Sequence, residues 1–394
     1  MNDVFIIDAI RTPIGKYGGS LSSIRPDDLL AHVIKELLKR NAAIKHQDIE
    51  DVIAGDANQA GEDNRNVARM ASLLAGLPVS VPGTTVNRLC ASGLQAIMDG
   101  ARQIMCEDAE LVISCGVESM SRAPFVLAKS TQAFQRSPEV FDTTLGWRFV
   151  NSKLSDIHVP YSMGETAENV ARQFKISRED QDAFALHSQE KYFTALEKGI
   201  WSNEIVSVEN GEGKTIVEDE HPRKTSLEKL ASLKAAFVTD GTVTAGNAAG
   251  INDGAAAMLL ASGGMVKKYG LKPMAKIISM AVAGVDPSIM GMGPVPATQK
   301  ALKRASLSIA NMEIVEMNEA FASQSLACIH DLGINKERVN VNGGAIALGH
   351  PLGCSGVRIS TTLIHELKRS GAKYGLATMC VGVGQGASII FESC

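Results

Sequence analysis

Residues 86–97, VNRLCASGLQAI, decide the interpretation of this chain because they place a cysteine between a short strand and a helix. The β-branched run at residues 84–86 predicts the strand, and apolar residues three positions apart predict the helix. Gly93 allows another backbone to approach that helix closely. We therefore expect Cys90 at or near a helix N-terminus, where unpaired N–H groups and the helix dipole favour a thiolate. The alternative is a buried, unreactive thiol, which is the usual state of a free cysteine.

The composition is that of a globular chain with two or three domains, since it has 394 residues, 45% of them hydrophobic, and 36 glycines. The formal net charge of -4 gives no indication of a surface for nucleic acid or for an acidic membrane. Seven cysteines without a CxxC pair argue against a disulfide framework and a zinc site. The N-terminal sequence shows no signal peptide, and no apolar run is long enough to span a membrane. We therefore expect a cytoplasmic protein without a membrane segment.

Strand and helix patterns alternate along the chain and predict an α/β protein. One helix is expected to begin at Pro26, whose fixed φ and missing N–H suit a first helical position, with Asp27 and Asp28 in its first turn. Another covers residues 177–198, with Ser177 as its N-cap. The remaining predictions are helices that end at residue 76 and cover residues 354–367, and strands at residues 4–10, 52–54, 111–114, 314–317, 339–341 and 375–381.

Two similar halves and an inserted domain are predicted from the order of these patterns. Residues 121–244 have longer loops, amphipathic helices and a charged stretch, so we interpret them as the insertion. Residues 341–359, VNGGAIALGHPLGCSGVRI, resemble residues 86–97 in passing from Val-Asn through a loop into a helix. The first half is then residues 1–120 with 245–271, and the second is residues 272–394. Corresponding loops of duplicated halves can surround one shared cleft.

Three polar motifs are candidates for this cleft: NEAFA at residues 318–322, the glycine-rich loop around His350, and CVGVGQG at residues 380–386. Each has a structural alternative. Asn318 is suited to capping a helix, His350 to a structural role with satisfied hydrogen bonds, and Cys380 to an unreactive core position. The glycines at 382–386 do not follow the GxGxxG spacing of a dinucleotide site, and too little chain follows for a βαβ unit.

The whole chain resembles the thiolase family. The resemblance rests on IDAIRTPIGKYGG at 7–19, VNRLCASG at 86–93, GVESMSRAP at 116–124, NEAFA, GGAIALGHPLGCSG at 343–356 and CVGVGQG. Together these motifs are highly specific, whereas any one of them is only suggestive. The resemblance implies a duplicated α/β fold with five layers, α-β-α-β-α, and a loop domain inserted into the first half.

The resemblance also implies the roles of the polar residues. Cys90 is the nucleophile, His350 its activator, Cys380 the acid and base, and Asn318 the residue that holds a water in an oxyanion hole. The backbone N–H groups of Cys90 and Gly382 are expected to stabilise a second oxyanion. The reaction is the cleavage of a 3-oxoacyl-CoA by CoA with ping-pong kinetics, so that CoA is a substrate and neither a metal nor another cofactor is expected.

The inserted domain is expected to carry CoA. By resemblance, Arg223 lies near the adenine and phosphate end, while Met163, Met290 and Phe321 line the pantetheine channel. The alternatives are a surface arginine and ordinary core packing.

Two positions depart from the family pattern. Ala249 stands where many thiolases have a serine, which puts one hydroxyl contact to pantetheine in doubt. Ser162 precedes Met163 where short-chain biosynthetic members often have a histidine, which speaks against a plain acetoacetyl-CoA enzyme.

Two stretches, ANQAGEDNRNVARMASLLAGLP at 57–78 and FDTTLGWRFVN at 141–151, resemble members that act on 3-oxoadipyl-CoA in the breakdown of aromatic compounds. Such a substrate ends in a carboxylate, so a cation is expected at the acyl end of the pocket. Arg65, Arg136 and Arg148 are the candidates. The alternative for each is a solvated surface arginine.

Other functions are also considered. An acetoacetyl-CoA thiolase is the first alternative. A decarboxylating condensing enzyme shares the duplicated fold but is expected to have one cysteine and a second catalytic histidine, whereas this chain has Asn318 and Cys380. The third alternative is a non-catalytic acyl-CoA-binding relative. The family resemblance implies a homodimer or a homotetramer, and it assigns no role to Cys354.

Overall fold

The structure is a computed structural model that describes residues 2–394. Its strands are β1 (Val4–Arg11), β2 (Gly15–Lys16), β3 (Asp51–Gly55), β4 (Thr84–Val86), β5 (Leu111–Ser119), β6 (Phe125–Leu127), β7 (Val140–Asp142), β8 (Val208–Glu209), β9 (Thr215–Ile216), β10 (Asn252–Ser262), β11 (Ala275–Gly284), β12 (Ile314–Met317), β13 (Tyr374–Val381) and β14 (Gln385–Ser393). Its α-helices are α1 (Pro26–Arg40), α2 (Val67–Leu74), α3 (Ser92–Met105), α4 (Ser152–Ser155), α5 (Met163–Gln173), α6 (Arg178–Glu197), α7 (Leu227–Ala231), α8 (Gly263–Tyr269), α9 (Pro294–Ala305), α10 (Ala322–Leu332), α11 (Ala345–Leu348) and α12 (Leu352–Ser370).

The strand order shows the predicted duplication. Neighbouring strands follow the path β12-β13-β14-β11-β1-β10-β5-β3-β4. Without the short β2 and the two hairpins between β5 and β10, the first half has five strands in chain order: β1, β3, β4, β5 and β10. In space, β1 is followed by the fifth, fourth, second and third of these strands. The second half repeats this order from β11 to β12, and Val339 forms a parallel bridge to Val315 in the place of its third strand. The halves join where β1 pairs antiparallel with β11.

Five layers result, because helices cover both faces of each half. Helices α1 and α2 pack on the outer face of the first half. Helices α9 and α10 pack on the outer face of the second half. Helices α3 and α12 form the middle layer, and their apolar side chains share one core with residues of β1, β10, β13 and β14. The predicted five-layered fold is therefore confirmed.

The two middle helices touch through backbone rather than through long side chains. A Cβ atom added at Gly93 of α3 would lie 2.6 Å from the carbonyl oxygen of Gly353 and 2.8 Å from the backbone nitrogen of Val357, both in α12. A Cβ atom at Gly356 of α12 would overlap the backbone nitrogen of Leu94. Only glycine permits so close an approach. As a result, the loops that precede α3 and α12 lie side by side.

Most predicted elements are present, and several extend further than their sequence pattern. The helix predicted at Pro26 begins there, and Ser177 caps α6 by accepting a hydrogen bond from the backbone of Asp180. The strand predicted at residues 339–341 is wrong, because only Val339 makes a bridge. The side chain of Asn340 accepts from the N–H of Met317 and donates to its carbonyl oxygen, both at 2.8 Å. This amide takes the place of the backbone partner that a strand would supply.

The segment between β5 and β10 contains the hairpins β6–β7 and β8–β9 and helices α4–α7. It interrupts two strands that pair directly with each other, from Leu111 opposite Ala261 to Ser119 opposite Asp253. We propose residues 121–244 as the inserted domain on this basis. No helix within residues 2–394 is long and apolar enough to cross a membrane.

Substituting Gly356→Ala should destabilise the protein, because the new methyl group would separate α12 from α3. Overpacking of this kind costs about 1–3 kcal/mol in the free energy of unfolding. Urea unfolding measures the change. Gly263→Ala is the matched control, since the first residue of α8 has only a ring carbon of Phe5 at 3.7 Å from the new atom. A Gly356→Ala variant as stable as this control would contradict the backbone contact.

Candidate active site

A strained turn presents Cys90 ahead of α3. Leu89 has a φ of 47°, in the left-handed region that a leucine rarely adopts. The side chain of Asn87 accepts from the N–H of Leu89 at 2.8 Å. The hydroxyl of Ser92 accepts from the N–H of Arg88 at 2.9 Å and donates to the carbonyl oxygen of Leu89 at 2.6 Å. These bonds hold a conformation that the backbone alone would not favour.

The surroundings of Cys90 favour a neutral thiol and act against the expected thiolate. Burial raises the pKa of Cys90 to about 11, although hydrogen bonds from the backbone N–H groups of Gly382 and Cys90 itself act in the opposite direction. Helix α3 begins at Ser92, so Cys90 precedes its N-cap, Ala91. Desolvation of the sulfur therefore outweighs the nearby N–H groups. These are the two N–H groups expected to stabilise an oxyanion, and both lie beside the sulfur of Cys90.

His350 is held in one orientation and stays neutral. Its Nδ1 lies 2.6 Å from the hydroxyl oxygen of Ser355, and that hydroxyl donates its only proton to the carbonyl oxygen of Pro351 at 2.8 Å. With the hydroxyl donating to Pro351, this contact favours the tautomer that has the proton on Nδ1 and the lone pair on Nε2. Its backbone N–H also donates to Oδ1 of Asn252 at 3.0 Å. Burial lowers the pKa of His350 to about 3, with a smaller contribution from Arg358.

Asn318 lies directly against this imidazole. Its Nδ2 is 3.3 Å from Nε2 of His350, and both side chains are buried. Its Oδ1 is buried and has no hydrogen-bond partner within residues 2–394. Asn318 does not cap α10, whose N-cap is Phe321. The capping alternative is therefore wrong, and the amide oxygen is available to a polar group in the cleft.

Cys380 is the second thiol of the site. Burial raises the pKa of Cys380 well above its usual range, and the charge of a Cys90 thiolate raises it further. The two thiols, 290 positions apart in the chain, therefore lie close enough for the charge of one to affect the pKa of the other. Met163, Met290 and Phe321 pack around Cys380 in one apolar cluster. Such surroundings favour a protonated thiol, the form that can donate a proton.

A cavity of about 440 Å³ opens beside the nucleophile. Cys90 and Gly382 lie in its wall with Met163 and Arg148, and the remaining lining residues are Leu89, Gly146, Trp147, Phe149, Ser162, Leu352 and Val383. Met163 belongs both to this wall and to the cluster around Cys380. The cavity wall therefore adjoins the apolar cluster that contains Cys380.

The other residues predicted for the CoA site do not all lie in the cavity wall. Ala249 is fixed by a backbone hydrogen bond of 3.0 Å to Ala320, next to Phe321, and Ser162 lines the cavity as the N-cap of α5. Arg223 is exposed and outside this cavity, and one of its Nη atoms donates to the carbonyl oxygen of Ala245 at 2.6 Å.

Only Arg148 of the three candidate arginines lines the cavity. Arg65 and Arg136 are exposed and take no part in its wall. Cys354 is buried in the core, and burial raises its pKa to about 12, which disfavours the reactive thiolate. No cluster of metal-binding side chains occurs in the described part of the chain.

Two family models match this chain. The family model described as "Thiolase, N-terminal domain" matches residues 4–264, and "Thiolase, C-terminal domain" matches residues 271–393. The chain belongs to the thiolase family. It is 56% identical to the "3-oxoadipyl-CoA/3-oxo-5,6-dehydrosuberyl-CoA thiolase" of Escherichia coli, and the alignment covers both chains completely. It is also 56% identical to the "Beta-ketoadipyl-CoA thiolase" of Pseudomonas aeruginosa, over 99% of each chain.

Solved thiolase structures have the same fold. The human mitochondrial 3-ketoacyl-CoA thiolase superposes with a TM-score of 0.94 and 43% identity, and the match covers 100% of this chain and 99% of that one. The acetyl-CoA acetyltransferase of Bacillus anthracis gives a TM-score of 0.93 and 42% identity, with the same coverage.

Sequence analysis of this thiolase missed the residues that hold the site in place. Glu118 accepts hydrogen bonds from the N–H groups of Ala57, Asn58 and Gly353, at 3.1, 3.1 and 2.8 Å. Burial raises the pKa of Glu118, and its charge in turn raises that of Cys90. The position of Glu118 within GVESMSRAP was the available signal. Ser355 had the same kind of signal, because it lies in the motif around His350. Asn252 gave none, because its bond to His350 joins segments 98 positions apart.

The pH dependence of Cys90 alkylation tests its protonation state. With a pKa of about 11, the thiolate fraction should increase about tenfold for each pH unit between pH 7 and 9. Iodoacetamide labelling, quantified on the Cys90 peptide by mass spectrometry, should follow this slope. Exposed Cys106 serves as the internal control. A labelling rate that levels off below pH 9 would show that the resting thiol is activated.

Proposed function

We propose that this thiolase cleaves 3-oxoadipyl-CoA with CoA to give acetyl-CoA and succinyl-CoA. The observation that carries the chemistry is the pair of neighbouring thiols, Cys90 with two backbone N–H donors and Cys380 in an apolar cluster. A nucleophile with donors suits acyl transfer, and a second thiol in apolar surroundings suits proton transfer to carbon. A decarboxylating condensing enzyme is expected to have one cysteine and a second catalytic histidine, so it would have no residue that corresponds to Cys380.

In the first step, the sulfur of Cys90 attacks the 3-oxo carbon and its proton passes to Nε2 of His350. The lone pair on Nε2 supports this role, since Ser355 fixes the proton on Nδ1. The N–H groups of Cys90 and Gly382 then face the oxyanion of the tetrahedral intermediate. A donor of this kind contributes about 3 kcal/mol to the stability of the transition state.

Next, the bond between C2 and C3 of the substrate breaks, and its electron pair forms the enolate of acetyl-CoA. The thiol of Cys380 gives its proton to C2. Meanwhile the Nε2–H of His350 and a water held by Oδ1 of Asn318 stabilise the enolate oxygen. The unpartnered Oδ1 and the 3.3 Å contact between Asn318 and His350 support this arrangement.

Finally, CoA gives its thiol proton to the thiolate of Cys380, and its sulfur attacks the acyl group on Cys90. The sulfur of Cys90 leaves and takes back the proton from Nε2 of His350, which releases succinyl-CoA and regenerates the site. We propose that Met163, Met290, Phe321 and the backbone at Ala249 bound the pantetheine channel, since they surround Cys380 or adjoin its cluster. Arg223 is proposed for the far end of CoA, where its exposure suits a phosphate. CoA is a substrate, and no other cofactor has a part in these steps.

The substrate assignment rests on relatives. Those with 54–56% identity over 99–100% of their length carry names that specify β-ketoadipyl-CoA or 3-oxoadipyl-CoA. The acetyl-CoA acetyltransferase of known structure is less similar, at 42% identity. A homodimer or homotetramer is also proposed, because the β6–β7 hairpin exposes the apolar residues Phe125, Leu127 and Val140.

Replacing Cys380 separates the two thiol roles. Cys380→Ser should lower kcat about 10²–10⁴-fold, because a serine hydroxyl is a weaker acid than a thiol and general acid–base catalysis has this size. Cys90 should still take up a succinyl group from succinyl-CoA, as detected by intact mass. Cys106→Ser is the control. Full turnover by Cys380→Ser would remove Cys380 from the mechanism.

Substrate preference tests the proposed function as a whole. The kcat/KM for 3-oxoadipyl-CoA should exceed that for acetoacetyl-CoA, because only the former fills the acyl end of the pocket with a charged group. A spectrophotometric assay of CoA-dependent cleavage compares the two. A clear preference for acetoacetyl-CoA would favour the acetyl-CoA acetyltransferase alternative. A protein that forms no acyl-Cys90 would be a binding relative instead.

A further inference from the structure

A second cavity, of about 150 Å³, continues from the one that contains Cys90. The two share Leu89, Gly146, Arg148 and Leu352 in their walls. The smaller cavity, which we call the acyl lobe, is also lined by Ala57, Asn58, Glu118, Met120, Thr143, Thr144 and Leu145. Its wall includes Leu89, beside Cys90. It also includes polar side chains from residues 57–78 and 141–151, the two stretches that resemble 3-oxoadipyl-CoA enzymes.

Arg148 stands at the junction of the two cavities with most of its hydrogen-bonding capacity unused. One Nη donates to Oδ1 of Asn58 at 3.2 Å. Within residues 2–394, the guanidinium makes no other hydrogen bond and no ion pair, whereas Arg122 nearby is fully engaged by Glu62. A guanidinium has five N–H donors in a planar fork that matches a carboxylate.

The anchor of Arg148 is itself fixed. The Nδ2 of Asn58 donates to the carbonyl oxygen of Thr143 at 3.1 Å and to its hydroxyl at 3.0 Å. The Thr143 hydroxyl donates in turn to the carbonyl oxygen of Pro124 at 2.6 Å. With its Nδ2 committed, Asn58 must present Oδ1 to Arg148. The guanidinium is thus oriented before any ligand binds, which reduces the entropy lost on binding.

We propose that Arg148, oriented by Asn58, binds the terminal carboxylate of the acyl group in the acyl lobe and so selects dicarboxylic 3-oxoacyl-CoA substrates. The inference rests on the proposed function and specifies its site. In the succinyl group on Cys90, two methylene groups separate the carbonyl carbon from the carboxylate. A lobe adjacent to the nucleophile and small in volume suits such a short charged arm better than a long aliphatic chain.

Glu118 is the other ionisable side chain of the acyl lobe. Its two oxygens accept hydrogen bonds from three backbone N–H groups, which spread any charge that it carries. Burial raises its pKa, so a second carboxylate in the lobe can be accommodated by protonation of Glu118. Arg148 is therefore the single fixed positive charge among the residues that line the lobe.

The experiment measures kcat/KM for 3-oxoadipyl-CoA and for 3-oxohexanoyl-CoA, which has the same chain length but no terminal carboxylate. The ratio of the two values should fall about 10- to 100-fold in Arg148→Gln, the range expected for loss of a hydrogen bond to a charged group. The ratio for Arg148→Lys should lie between those of the wild type and Arg148→Gln, because lysine keeps the charge but not the planar fork of N–H donors. Arg136→Gln, an exposed arginine outside the lobe, should leave the ratio unchanged.

The outcomes separate the two proposals. A wild-type protein that cleaves 3-oxohexanoyl-CoA better than 3-oxoadipyl-CoA would overturn the proposed substrate. A wild-type preference for 3-oxoadipyl-CoA that survives in Arg148→Gln would overturn only the role of Arg148. An equal loss for both substrates would likewise assign Arg148 to the shape of the cavity and overturn its role in selection.

A measurement on the wild type covers the case in which Arg148→Gln does not fold. Succinyl-CoA should acylate Cys90 with a higher kcat/KM than butyryl-CoA, its uncharged isostere in chain length, as followed by intact mass. This advantage should decrease as salt is added, because the pair lies in a cavity open to solvent. Equal acylation by the two thioesters would contradict a cation in the acyl lobe.

Discussion

The backbone contact between α3 and α12 is the constraint on which the rest of this thiolase depends. Because Gly93 and Gly356 lack side chains, the two helices approach until main-chain atoms touch. Their preceding loops, one with Cys90 and the other with His350, are thereby brought to one place. Glu118 strengthens the junction by binding the N–H of Gly353 at the start of α12 and those of the loop at residues 57–58. Fold and catalysis thus share the same interface.

Burial governs the electrostatics of the site. It raises the pKa of both thiols and lowers that of His350, so it favours the neutral form of all three groups. A low-dielectric site disfavours a resting thiolate–imidazolium pair, and proton transfer then has to accompany bond formation. The fixed N–H groups of Cys90 and Gly382 are dipoles without net charge. They can stabilise an oxyanion when it forms without charging the thiol beforehand.

Sequence patterns predicted the parts of the structure that depend on neighbouring residues. The helix at Pro26 and the cap at Ser177 followed from local rules, and the family motifs identified the two thiols, His350 and Asn318. The strand at residues 339–341 failed because the Asn340 side chain pairs with Met317, 23 positions away. For a similar reason, burial acts against the thiolate expected at Cys90. Helix position is local, whereas burial is decided by the whole fold. The bonds of Asn252 and Glu118 likewise join distant segments.

The repeated strand order carries a further implication for how the two copies diverged. Cys90 follows the third strand of one half, and His350 follows the corresponding bridge of the other, so equivalent segments have acquired complementary chemistry. A molecule assembled from two identical first halves would have two copies of Cys90 and no His350. One assembled from two identical second halves would have two copies of His350 and no Cys90. The two halves therefore share a strand order but carry different polar residues, so the site needs one copy of each half.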